Sequence, residues 1–117
     1  MAEYDVIRFD EKGLIPAVVQ DADTGEVLVL AWMNRQSIEH TYRTGRVTFW
    51  SRSRNELWEK GATSGNYLEL VGIYKNCEAN SFLVKARPKG PTCHTGNVSC
   101  YYRRFDPATD LPPESAG

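Results

Sequence analysis

The sequence predicts an α+β domain, mainly antiparallel β with one helix, and three observations carry that reading. Runs rich in β-branched and aromatic residues alternate with short turn signals. One stretch alone carries capping residues at both of its ends. The length of 117 residues suffices for a single compact domain and not for two. Hydrophobic residues at 41% and charged residues at 25% are ordinary for a globular chain and exclude wholesale disorder.

Residues 15–20 and 26–33 are β-rich, and the Asp, Thr and Gly of residues 21–25 predict a turn between them. Asn34 is a natural N-cap for a helix of about three turns, with Ile38 and Tyr42 on one face and Gly45 as its C-cap. Residues 46–51 return to strand composition, and residues 67–77 and 81–87 predict two more strands in one hairpin. Residues 51–66 and 90–100 are too polar and glycine-rich for core. Long loops that hold aromatic, cysteine and histidine residues inside a small domain are functional rather than disordered. Residues 1–105 are thus expected to form the domain, and the proline-rich residues 106–117 a flexible C-terminal tail. Its core is modest, so a metal or oligomerisation is an expected further source of stability.

A formal net charge of -1 excludes a general nucleic-acid coat protein. The longest apolar run, residues 27–33, is far short of the roughly 20 residues that span a bilayer, so no membrane partner is expected. The first residues carry scattered acids and no apolar signal core, which predicts a cytoplasmic protein. The charge is segregated. Residues 1–40 hold three basic and eight acidic side chains, whereas residues 41–105 hold eleven basic and four acidic ones. Such a field is either a solvated surface of mixed sign or a cleft that attracts a small anion such as a phosphate ester.

Cys77, Cys93 and Cys100 are the only cysteines, and an odd count without a secretory signal argues against a disulfide framework. Cys77 falls in a predicted strand, where a small buried side chain competes with a ligand role. Cys93 and Cys100 flank His94 in a Pro/Gly-bounded loop with no apolar periodicity to explain them. Three soft ligands leave one position open for water, the arrangement of a catalytic zinc, and the absence of Cys-x-x-Cys speaks against a structural ribbon. His94 adjoins Cys93, and neighbouring side chains on extended backbone diverge, so acid–base chemistry suits it better than ligation. His40 lies in the predicted helix with no chemical neighbour and is expected to be a surface or packing residue.

Trp50-Ser-Arg-Ser-Arg54, Leu57-Trp58 with Lys60-Gly-Ala-Thr-Ser-Gly65, and Gly90-Pro-Thr-Cys-His-Thr-Gly96 with Ser99-Cys100 together resemble the phosphoribosyl-AMP cyclohydrolases of histidine biosynthesis. Gly13-Leu-Ile-Pro-Ala17, Val19-Gln-Asp21 and Ala31-Trp-Met-Asn34 fit the same family, so the resemblance runs from about Gly13 to Tyr102. It implies an intertwined homodimer with one zinc per subunit, held by cysteines at Cys77, Cys93 and Cys100 and shared across the interface. It implies a mechanistic role for His94 and hydrolytic opening of the adenine ring of phosphoribosyl-AMP at N1–C6. Arg52, Arg54, Lys60, Thr63 and Ser64 offer cations, hydroxyls and glycine-exposed amides for the substrate's phosphates. Trp50 and Trp58 serve either base stacking or packing. The family also occurs fused to a pyrophosphohydrolase domain, which is not expected within these residues.

One match fails. The family usually shows Asp-Cys-Asp-x-Asp around the first cysteine, acids implicated in binding magnesium; here the stretch is Asn76-Cys77-Glu78-Ala79-Asn80. On a strand, positions 76, 78 and 80 would share one face and Cys77 the other. The formal charge of that face falls from -3 to -1, so magnesium dependence is expected to be weak. Two alternatives remain: a related zinc amidine hydrolase or deaminase on another purine-like nucleotide, and a non-enzymatic zinc-stabilised binding module. A deaminase of the usual zinc type would need His-x-Glu and Pro-Cys-x-x-Cys, and neither occurs here.

Overall fold

A computed structural model describes residues 6–61, 65–90 and 98–110. Strands β1 (Ile15–Asp21) and β2 (Val27–Met33) form an antiparallel hairpin, with Ile15 opposite Met33 and Val19 opposite Val29. Helix α1 (Arg35–Thr44) follows, then the short strands β3 (Thr48–Ser51) and β4 (Glu56–Glu59), and finally β5 (Leu68–Lys75) and β6 (Phe82–Pro88). The main sheet has the order β2-β1-β6-β5, and β3 pairs with β4 in a sheet of their own. A single turn, α2 (Pro107–Asp110), lies within the stretch expected to be a tail.

Helix α1 forms where its caps dictate. Asn34 Oδ1 accepts a hydrogen bond from the Ser37 amide at 2.8 Å, while Ser37 Oγ accepts from the Asn34 amide at 2.8 Å, a reciprocal capping box. Gly45 ends the helix at φ +76, its N–H donating to the Thr41 carbonyl. The buried Thr41 hydroxyl accepts from the Thr48 amide at 2.9 Å, which fixes the helix on β3. Alternation on β1 turns Ile15, Ala17 and Val19 inward against Leu28, Met33, Phe49, Leu68 and Val84, all fully buried.

Two expectations are corrected. Residues 51–66 are not all loop: β4 crosses them, because Leu57, half-buried, pairs with Trp50, and Trp58, though exposed, pairs with Phe49 and packs on its ring. Cys77 is not in a strand, since β5 ends at Lys75 and residues 76–80 form the turn before β6. The strand pairing is mainly antiparallel, as expected, with one parallel pair at the centre of the main sheet, β1 and β6, where Ala17 is opposite Phe82 and Val19 opposite Val84. The predicted β5–β6 hairpin is present, antiparallel, with Lys75 opposite Phe82.

Both edges of the main sheet are partly covered. The Cys100 amide donates to the Leu28 carbonyl at 2.8 Å, and Ser99 Oγ to the Val27 carbonyl at 2.7 Å, laying residues 99–100 along β2. On the far edge, Val47 N–H donates to the Leu68 carbonyl and Leu70 N–H to the Gly45 carbonyl, so residues 45–47 flank the first half of β5.

Candidate active site

The β3–β4 hairpin carries the arginine pair. Its turn is fixed by the Arg54 amide donating to Ser51 Oγ at 3.3 Å and by Asn55 at φ +55. Arg52 and Arg54 therefore stand in solvent at the hairpin tip. The Arg52 guanidinium lies over the indole of Trp32 on β2, its Cζ 4.4 Å from the ring centroid, a contact worth about 0.5–1 kcal/mol at an exposed site. Among the described residues the Arg54 side chain makes no hydrogen bond, ion pair or ring contact. Lys60 follows β4 directly, with Nζ 5.3 Å from the Trp58 centroid. Trp58 in turn packs on the core ring of Phe49, centroids 5.7 Å apart, and Trp50 pairs with Leu57 across the hairpin.

The two glycine-rich segments meet at Asn66. Gly61, at φ +82, approaches so closely that a Cβ would run into the backbone of Asn66 and Tyr67. Gly90, at φ +148, faces the Asn66 side chain, and a Cβ there would strike its amide. Glycine is needed at both positions by conformation and by space. This brings the segment after Lys60 alongside the start of the cysteine-bearing segment. Thr63, Ser64, Cys93 and His94 lie outside the described residues.

Cys77 and Cys100 are thiols outside any disulfide, the first exposed and the second half-buried. They sit toward opposite sides of the main sheet, Cys100 along the outer edge of β2 and Cys77 in the turn joining β5 to β6. At about 4.8 Å per strand spacing, three to four spacings across the sheet separate them by at least roughly 14 Å. Among the described residues no three His, Cys, Asp or Glu side chains converge as a metal-ligand set.

Asn76, Glu78 and Asn80 do come together, through the turn and not through strand alternation. Asn76 Oδ1 accepts from the Asn80 amide at 2.9 Å and from the Ser81 amide at 3.1 Å, while Asn76 Nδ2 donates to Asn80 Oδ1 at 2.7 Å. Asn80 Nδ2 reaches Glu78 Oε2 at 3.4 Å. The two amide oxygens are thus spent on closing the turn.

Two residues acquire partners that the sequence did not disclose. Trp32 is the platform under Arg52. His40 is not without neighbours: Nε2 is 3.4 Å from Glu59 Oε1 and Nδ1 is 3.1 Å from Arg43 Nη2, so it ties α1 to β4. The Arg52–Trp32 and His40–Glu59 contacts join residues from different elements, which no local pattern encodes; the only sequence signal was the basic run Ser51-Arg-Ser-Arg54.

Residues 29–102 match the family model for phosphoribosyl-AMP cyclohydrolase. The chain is 51% identical over 102 residues to the phosphoribosyl-AMP cyclohydrolase of Chloroherpeton thalassium, covering 87% of this chain and 73% of the relative. With the phosphoribosyl-AMP cyclohydrolase of Roseobacter denitrificans the identity is 56%, over 82% of this chain and 75% of the relative. It is also 48% identical to a histidine biosynthesis bifunctional protein HisIE of Caldanaerobacter subterraneus, covering 94% of this chain and 54% of that longer relative. Matched from β2 through the segment that binds its edge, and at about half identity across nearly all of its strands, the chain belongs to the phosphoribosyl-AMP cyclohydrolase family of hydrolases.

Proposed function

We propose that this chain hydrolyses the N1–C6 bond of N1-(5-phosphoribosyl)-AMP and so opens the adenine ring in histidine biosynthesis. The observation that carries the reading is the match to cyclohydrolases at about half identity, over a stretch that includes the arginine turn, Lys60 and all three cysteines. Arg52, Arg54 and Lys60 bind the phosphates, with Thr63 and Ser64 as hydroxyl donors. Three thiols fit a zinc ion: Cys77, Cys93 and Cys100 would hold one per subunit. The chemistry a bound zinc supplies is Lewis acidity, which makes water nucleophilic near neutral pH. His94 takes the proton released from that water and returns it to N1 as the C6–N1 bond breaks.

The placement of Cys77 and Cys100 supports a homodimer with shared sites. Two sulfurs on one zinc stand at most about 4.6 Å apart, given Zn–S bonds near 2.3 Å. Thiols on opposite sides of one sheet cannot meet that distance, so a second copy supplies the missing partner. Magnesium plays a small part, because the Asn76 and Asn80 oxygens already accept hydrogen bonds within their turn, leaving Glu78 as the one carboxylate. The test is to incubate the zinc-loaded protein with phosphoribosyl-AMP and follow the absorbance change on ring opening. Turnover that chelation abolishes is expected; no ring opening with fully zinc-loaded protein would refute the assignment.

A further inference from the structure

Every described arginine on the main domain that meets a carboxylate is partly neutralised by it: Arg35 by Glu39 at 3.2 Å, Arg46 by Glu59 at 3.9 Å and Arg87 by Asp23 at 3.3 Å. Arg52 is held differently. Among the described residues its guanidinium has no acidic partner and rests on the face of Trp32. A ring face steadies the plane of a guanidinium without consuming its N–H donors, which lie around the edge of that plane. The result is an arginine that keeps its full charge and its donors while losing much of its rotational freedom. That is the condition for forked recognition of a phosphate monoester.

We infer that Trp32 is a positioning residue that presents Arg52 as the phosphate anchor of this site, an inference that rests on the reading of the β3–β4 turn as a phosphate subsite. Trp32 is fixed to do so. It is half-buried on β2, opposite Pro16 of β1, so the indole is held by the main sheet while Arg52 arrives from the separate β3–β4 sheet. Arg54, two residues on, has no such platform and contributes charge rather than geometry.

The inference is tested by calorimetric binding of AMP and of adenosine, which differ only in the phosphate, to the intact protein and its variants. Trp32→Leu weakens AMP binding about 2- to 5-fold, the factor that an exposed cation–π contact supplies, and leaves adenosine binding unchanged. Trp32→Phe, which keeps a ring face, binds AMP like the parent. Adding Trp32→Leu to Arg52→Ala produces no further loss. Arg52→Lys loses AMP affinity although its charge is retained, and loses more of it than Arg54→Lys does; this comparison stands even if Trp32→Leu fails to fold. Equal weakening of AMP and adenosine by Trp32→Leu would make the indole a packing or base-stacking residue and overturn the inference. So would additive losses in the double variant, a harmless Arg52→Lys, or a parent protein that binds AMP no better than adenosine. Turnover of phosphoribosyl-AMP plays no part in the readout. Failed turnover with intact Trp32–Arg52 coupling therefore removes the proposed reaction and leaves the anchor standing.

Discussion

Replacing Gly61 by alanine isolates the close approach that joins the two glycine-rich segments. Gly61 and Gly65 share the same backbone setting, φ +82 at each, but differ in space. A Cβ on Gly65 meets nothing within 4 Å, whereas one on Gly61 meets the backbone of Asn66 and Tyr67. Gly65→Ala therefore reports the left-handed conformation alone, about 1–2 kcal/mol. Gly61→Ala carries that cost and adds a collision that no rotamer can relieve, about 1–3 kcal/mol more. The sum, roughly 2–5 kcal/mol, is a large share of the 5–15 kcal/mol that holds typical domains folded. Urea denaturation measures both, at one protein concentration so that any association is held constant. With m near 1.5 kcal/mol/M, the midpoint of Gly61→Ala should lie about 0.7–2 M below that of Gly65→Ala. Because the strain falls on the backbone that follows Lys60, KM should rise in Gly61→Ala beyond its rise in Gly65→Ala. Equal midpoints for the two variants would refute the close approach, and with it the joining of the two segments at Asn66.

Cys77→Ser, Cys93→Ser and Cys100→Ser should each lose most bound zinc, since a hydroxyl is a poor donor to this ion; full occupancy in all three by metal analysis would contradict the ligand set. Mixing Cys77→Ala with Cys93→Ala under subunit exchange should restore part of the activity, because one of the two shared sites escapes both defects; a monomer by light scattering would exclude this. Chelator-stripped, zinc-reconstituted protein should need magnesium only well above the micromolar range, and Asn76→Asp with Asn80→Asp should lower that requirement. Half-saturation of the parent at low micromolar magnesium would show the Asn76 turn to be a competent site as it stands.

Local chemistry was legible in the sequence and long-range pairing was not. Asn34 and Gly45 bound α1 because caps act within four residues, and the β1–β2 and β5–β6 hairpins follow from neighbouring runs and their turns. Strand β4 was hidden because Glu56–Glu59 is half charged and becomes a strand only by resting Trp58 on Phe49. Cys77 was misplaced by extending the alternation of β5 too far; Asn76 and Asn80 are turn formers, and their side chains end the strand. The arginine pair and Lys60 were visible as a basic, glycine-flanked run. Trp32 under Arg52 and the Glu59 partner of His40 were not, since each contact crosses between elements.

The parallel β1–β6 ladder at the centre of the sheet also sets an order of events during folding. Ala17 and Phe82 are 65 residues apart, whereas the β5–β6 hairpin closes across the few residues between Lys75 and Phe82. Loop closure that grows as the logarithm of length makes the central ladder about 2 kcal/mol dearer to nucleate than that hairpin. Two locally formed hairpins thus precede their union, and the seam between them forms late. On a ribosome the β1–β2 hairpin is complete long before residues 82–88 are made. Throughout that interval the inner edge of β1, with Ala17 and Val19 on it, stands open to whatever strand is nearest.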